Sequence, residues 1–144
     1  MLNRFENKKD AAIISQHGDI YIESFSDFFD AGELKTRAID NAGTIFSGRH
    51  TVLKLDSNRA GRQVSLFNEQ GALIQAKGNL IIGRDCLADA GSQCIQSIWH
   101  HSSGNIIVEN YGNIVSDKNI WVNANVFINN IAHPEIVEES RVVR

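Results

Sequence analysis

Two cysteines and five histidines are the residues to weigh first for chemistry. Cys86 and Cys94 lie eight positions apart with His100 and His101 close behind, while His17, His50 and His133 are scattered. A zinc site needs four ligands, and adjacent residues on a strand point to opposite faces, so the His100–His101 pair supplies one ligand at most. No histidine has a nucleophile or carboxylate at a catalytic spacing, and the chain holds no Gly-x-Ser-x-Gly elbow, phosphate loop or His-Glu-x-x-His. The acids Glu23, Asp27, Asp30, Glu33 and Asp56 share no repeating register, whereas a glycosidase gathers its carboxylates on one face. Neither a catalytic residue, a metal site nor a cofactor is expected. The aromatic residues carry more promise. Phe25, Phe28 and Phe29 stand at helical spacing, and Trp99 adjoins His100. They either pack a short helix or turn onto the body of the protein, or form an exposed patch that docks a receptor or carbohydrate.

What must position these residues is a β framework. Hydrophobic residues make up 42% of the 144 and charged residues 22%, which is a folding composition and enough chain for one domain spanning 1–144. The formal charge of -3 and the lack of a basic run argue against nucleic acid as a partner. Apolar runs such as Asn79-Leu80-Ile81-Ile82 fall far short of the roughly 20 residues that cross a bilayer as a helix, so no membrane insertion is expected. The start, Met1-Leu2-Asn3-Arg4, lacks the apolar core of a secretory signal, which fits a cytosolic protein or an interior slice of a longer one. Short period-2 runs recur at Ile20-Tyr21-Ile22, Thr51-Val52-Leu53-Lys54-Leu55, Leu80-Ile81-Ile82, Ile106-Ile107-Val108, Ile120-Trp121-Val122 and Val126-Phe127-Ile128. Sustained helical spacing is absent outside residues 25–34. The class is all-β.

The runs also repeat as a unit. From a small reference residue (Ala12, Gly43, Ala72, Gly112), an isoleucine follows two positions on: Ile14, Ile45, Ile74 and Ile114. Gln16, Ser47, Ala76 or Ser116 comes next, then Ile20 and Ile22, Thr51 and Leu53, Leu80 and Ile82, or Ile120 and Val122. An asparagine stands upstream each time: Asn7, Asn41, Asn68 and Asn110. Two short strands cannot bury an apolar face alone, but stacked coils about 4.8 Å apart turn equivalent isoleucines into inward ladders. Asparagine suits the corners by tolerating left-handed backbone or by bonding its amide to backbone or to the amide one coil away. Trp121, between Ile120 and Val122, then points outward. The expected fold is a parallel β-helix, with 23–40, 56–67 and 84–103 as loops or less regular coils.

Residues 41–55 (NAGTIFSGRHTVLKL), 68–83 (NEQGALIQAKGNLIIG) and 110–130 (NYGNIVSDKNIWVNANVFINN) resemble the degenerate repeats of filamentous haemagglutinin and of contact-dependent growth inhibition exoproteins, which leave the cell by two-partner secretion. Asn41, Gly43, Ile45, Ser47, Asn68, Leu80, Ile82, Asn110, Gly112, Ile114, Ser116, Ile120, Val122, Asn129 and Asn130 carry the match, over about two-thirds of the chain. The resemblance implies a right-handed parallel β-helix from the stalk of a secreted, surface-displayed exoprotein, stacked on neighbouring segments of the same chain and contacting a target-cell receptor or carbohydrate. Insertions at 23–40 and 84–103 depart from the pattern. In an exported chain Cys86 and Cys94 would close a small disulfide loop; in a reducing compartment they would be two small buried residues. A cytosolic β-helical scaffold that polymerises as bactofilins do is the alternative, and a polysaccharide-active β-helix enzyme ranks third.

Overall fold

The computed structural model describes residues 4–26, 35–57, 63–83 and 105–130. They form thirteen strands: β1 (Phe5–Asn7), β2 (Ala12–Ser15), β3 (Ile20–Ser26), β4 (Lys35–Asn41), β5 (Thr44–Ser47), β6 (Thr51–Ser57), β7 (Gln63–Asn68), β8 (Leu73–Ala76), β9 (Leu80–Gly83), β10 (Asn105–Asn110), β11 (Asn113–Ser116), β12 (Ile120–Asn123) and β13 (Val126–Asn129). Each strand pairs in parallel with the strand three places later. Three sheets result: β1-β4-β7-β10-β13, β2-β5-β8-β11 and β3-β6-β9-β12, designated A, B and C. The chain therefore winds through A, B and C in turn for four coils, and β13 opens a fifth. This is a parallel β-solenoid.

Alternate residues face the interior and stack in columns. Ile13, Ile45, Ile74 and Ile114 are register partners in sheet B, as are Ile22, Leu53, Ile82 and Val122 in sheet C and Phe5, Ile39, Leu66, Val108 and Phe127 in sheet A. In the middle coils these side chains are sealed: Ile45, Leu53, Leu66, Ile74, Leu80 and Ile82 all have 0% exposure. Burial of each contributes about 1.5–3 kcal/mol, and a coil collects this only because another lies above and below it. Among the described residues the first and last coils are flanked on one side only, and there Ile13, Ile114 and Val122 are half-buried and Ile120 is exposed.

One expected position is corrected. Ile14 pairs with Phe46, not Ile45, and lies on the outer face with 58% exposure. The reference residue of the first coil is Ala11, whose carbonyl accepts from Thr44 as the carbonyl of Gly43 accepts from Leu73. The slip arises at the corner between sheets B and C. Coil one spends residues 16–19 there, one more than 48–50, 77–79 or 117–119 in the later coils. Counting forward to Ile20 and Ile22 hides that extra residue, and a one-residue slip moves a whole strand to the wrong face.

The expected loops 23–40 and 56–67 also contain regular strands. β3 runs to Ser26, and β4 and β7 are full members of sheet A. A bulge between Arg37 and Ile39 breaks the alternation of β4 and tucks Ala38 into the core at 0% exposure.

Candidate functional site

The corner between sheets A and B is held by asparagines. The Nδ2 of Asn7 donates to the Oδ1 of Asn41 (2.8 Å), Asn41 to Asn68 (2.9 Å), Asn68 to Asn110 (2.8 Å) and Asn110 to Asn129 (2.8 Å). The amides of Asn41 and Asn68 also donate to the carbonyls of Leu73 and Asn113 in the following coil. Asn41 and Asn68 are completely buried, so this ladder satisfies groups that would otherwise be costly to enclose. Its role is hydrogen bonding and not left-handed backbone: Asp10 is the one described non-glycine residue with positive φ.

That corner alternates in length. Coils one and three use four residues, 8–11 and 69–72, with Asp10 (φ 69) and Gly71 (φ 85) in the left-handed region; coils two and four use two, 42–43 and 111–112. Each longer turn folds over the next, shorter one. A Cβ on Gly43 would come within 2.2 Å of the Ala11 carbonyl oxygen, and one on Gly112 within 2.5 Å of that of Ala72. Between the two long turns lies an open hollow of about 210 Å³, with Lys9, Asp10 and Gln70 on its sides and Ala42, Gly43 and Thr44 at its base.

A second ladder, which no recurring residue type announces, runs along the corner between sheets B and C. The residue just before each sheet C strand accepts a backbone N–H from its equivalent one coil later. Asp19 Oδ1 takes the N–H of His50 (3.0 Å), His50 Nδ1 that of Asn79 (2.9 Å), and Asn79 Oδ1 that of Asn119 (3.3 Å). His50 thus serves as an acceptor through Nδ1. The inward hydroxyls of Ser47 and Thr51 close the same corner at 2.6 Å.

The outer faces differ in chemistry. Sheet A carries Glu6, Asp40 and Glu109 in one outward column with Phe67 and Ile128; Arg4 bridges Glu6 (3.2 Å) and Asp40 (3.5 Å). Phe67 packs against Tyr111 with ring centroids 5.1 Å apart, and the Tyr111 hydroxyl donates to Glu109. Loss of solvent contact, that hydrogen bond and the Glu109 charge push the Tyr111 phenol above its ordinary range. On sheet C, Tyr21, Val52, Ile81 and Trp121 form an outward apolar column, and Glu23 pairs with Lys54 at 3.4 Å. The outer face of sheet B, made of Ala12, Ile14, Thr44, Phe46, Leu73, Gln75, Asn113 and Val115, carries no charge.

Every large change in coil length falls at the third corner, between sheets C and A. From one corner asparagine to the next the chain runs 34, 27, 42 and 19 residues. The joins there are 27–34, 58–62, 84–104 and 124–125, and after each one the chain re-enters sheet A in register. Of the expected binding residues, Phe28, Phe29, Trp99 and His100 fall in these joins. Phe25 lies at the end of β3, paired through its backbone with Asp56. Its side chain, together with Phe28, Phe29, Trp99, His100, Cys86 and Cys94, lies outside the described residues. Among the described residues no group of three or more His, Cys, Asp or Glu side chains could hold a metal ion, and no helix is long and apolar enough to cross a membrane. Comparison with protein-family models, with curated proteins and with solved structures finds no match.

Proposed function

We propose that this chain is a right-handed β-solenoid segment of a secreted bacterial exoprotein of the filamentous haemagglutinin type, a rigid stalk that displays contact loops at the cell surface. One observation carries the reading: coil length varies at the corner between sheets C and A, while the apolar columns and both corner ladders run unbroken beneath it. A solenoid whose purpose is extension needs invariant columns, and one whose purpose is also contact needs an edge where chain can be added without disturbing them. The joins 27–34 and 84–104, which hold Phe28, Phe29, Trp99 and His100, are where a receptor or carbohydrate is then met. No catalytic step is assigned to the segment.

Deleting 27–34 and 84–104 separately, with the fold checked by circular dichroism, and measuring adhesion of the labelled protein to target cells tests this. Loss of adhesion with either deletion supports display of contact loops. Unchanged adhesion with both would reduce the segment to plain stalk, and turnover of a polysaccharide would overturn the reading.

A further inference from the structure

The hollow at the corner between sheets A and B has the make-up of a small-ligand site. It lies between the turns 8–11 and 69–72, where the two-residue turn of coil two is recessed. Lys9, Asp10, Thr44 and Gln70 turn it polar, over Ala42 and Gly43 at the base. Among the described residues none of these four side chains has a hydrogen bond or ion pair within the protein, although Lys8 next to them pairs with Glu6 at 3.5 Å. Asp10 stands out. It holds φ 69 at the position where the matching turn of coil three has Gly71 at φ 85. Glycine adopts that backbone freely, and an aspartate only against some strain. The turn by itself calls for glycine, and the carboxylate that replaces it faces the hollow; strain of this kind gathers at ligand sites.

Size and charge limit what can enter. At about 210 Å³ the hollow has room for about seven waters, below the roughly 300 Å³ at which pockets for drug-sized ligands begin, so it takes one small ring. Lys9 and Asp10 offset each other, and no other charged residue lines it, so a neutral ligand is favoured over an ion. Asp10 only accepts hydrogen bonds, Lys9 only donates, and the Thr44 hydroxyl and Gln70 amide do both. A ligand that answers all four carries several hydroxyls on a compact, uncharged frame. From Ala12 and Thr44 the wall of the hollow continues onto the uncharged outer face of sheet B, where the next outward residues are the register partners Ile14 and Phe46. An aromatic ring beside an exposed isoleucine offers an apolar platform to the C–H face of a second ring.

From these observations we infer that this corner binds a neutral saccharide, with one ring in the hollow between the two long turns and the ring joined to it over Ile14 and Phe46. The Asp10 carboxylate and the Lys9 ammonium hold hydroxyls from one wall, the Gln70 amide from the other, and the Thr44 hydroxyl from the base. The inference does not rest on the proposed contact loops, which lie at the corner between sheets C and A.

Amide NMR of the full chain reads this site directly. The probes are glucose, galactose, mannose and N-acetylglucosamine, followed by cellobiose, lactose and chitobiose, with glycine and sodium sulfate as a zwitterion and an anion of similar size. At least one of the sugars is expected to shift the amides of Asp10, Gly43, Thr44 and Gly71 in a saturable way at millimolar concentration, and a disaccharide containing it to bind more tightly. Asp10→Gly keeps the turn and relieves its backbone, so the fold stands; it is expected to weaken binding about tenfold, as losing a charged hydrogen bond does. Phe46→Ala, on the outer face, is expected to remove the advantage of the disaccharide and leave the single sugar unchanged. No saturable shift with any sugar, binding unaltered by Asp10→Gly, a disaccharide that binds no better than its single ring, or an equal response to glycine or sulfate overturns the inference.

Discussion

Replacing Asn68 by alanine removes the centre of the amide ladder. Three side-chain hydrogen bonds go: from Asn41 Nδ2 (2.9 Å), to Asn110 Oδ1 (2.8 Å) and to the Asn113 carbonyl (3.2 Å). At about 1 kcal/mol each the loss is about 3 kcal/mol. Further penalties stay small because the neighbours keep other partners. Asn41 Nδ2 still reaches the carbonyls of Gly43 and Leu73, and Asn110 Oδ1 still accepts from the Gly112 N–H. Asn129→Ala, at the end of the ladder, deletes only the bond from Asn110 and should cost about 1 kcal/mol. Asn68→Asp should cost most, about 3–5 kcal/mol, because it turns an acceptor toward Asn110 Oδ1 and buries an unpaired charge. Urea unfolding followed by circular dichroism, with midpoints compared at constant slope, measures all three. If Asn68→Ala lowers the midpoint no more than Asn129→Ala at unchanged slope, the ladder is not what ties the coils together at this corner.

The corrected register predicts that Ile14→Asp leaves the protein folded while Ile45→Asp unfolds it, and that Ile45→Ala costs about 2–5 kcal/mol against no more than about 0.5 for Ile14→Ala, read by the same unfolding curves. Gly43→Ala should destabilise through collision with the Ala11 carbonyl, and Gly83→Ala through collision with the Asn123 carbonyl at φ +111; Gly71→Ala, strained at φ +85 but in open space, should cost only about 1 kcal/mol, and thermal melts rank the three. Glu109→Gln should move the Tyr111 phenol back toward its ordinary value, seen as an earlier phenolate absorbance in a difference titration against Tyr111→Phe. Since that phenol is raised in the fold, its contribution to stability is complete below the ordinary tyrosine value of 10.0 and is lost as pH climbs through the folded value.

Period-2 alternation and the offset from each small reference residue make the columns of sheets B and C legible in the amino-acid sequence alone, the first coil of sheet B excepted. Asn41, Asn68 and Asn110 are readable because one residue type recurs a few positions ahead of each small reference residue. Sheet A is harder. The bulge at Ala38 spoils the alternation of β4, and β7 places Ser65 between the inward Val64 and Leu66, so neither strand resembles the clean runs of sheet C. The ladder of Asp19, His50, Asn79 and Asn119 escapes notice because three residue types share one task, accepting a neighbour's N–H. Its signal is position alone, one residue ahead of the first inward residue of each sheet C strand. The Ile14 slip shows how weakly sequence fixes phase where a corner gains a single residue.

The corner between sheets C and A has an engineering consequence. Its joins range from Ala124 and Asn125 alone to all of 84–104, yet the chain resumes the same register after each. Loop-closure entropy grows only with the logarithm of length, so even that range costs about 2 kcal/mol. A foreign peptide or small domain spliced between Ser57 and Gln63 should therefore be carried as cargo on the flank of the rod, with its point of attachment fixed by β6 and β7 and its size left almost free.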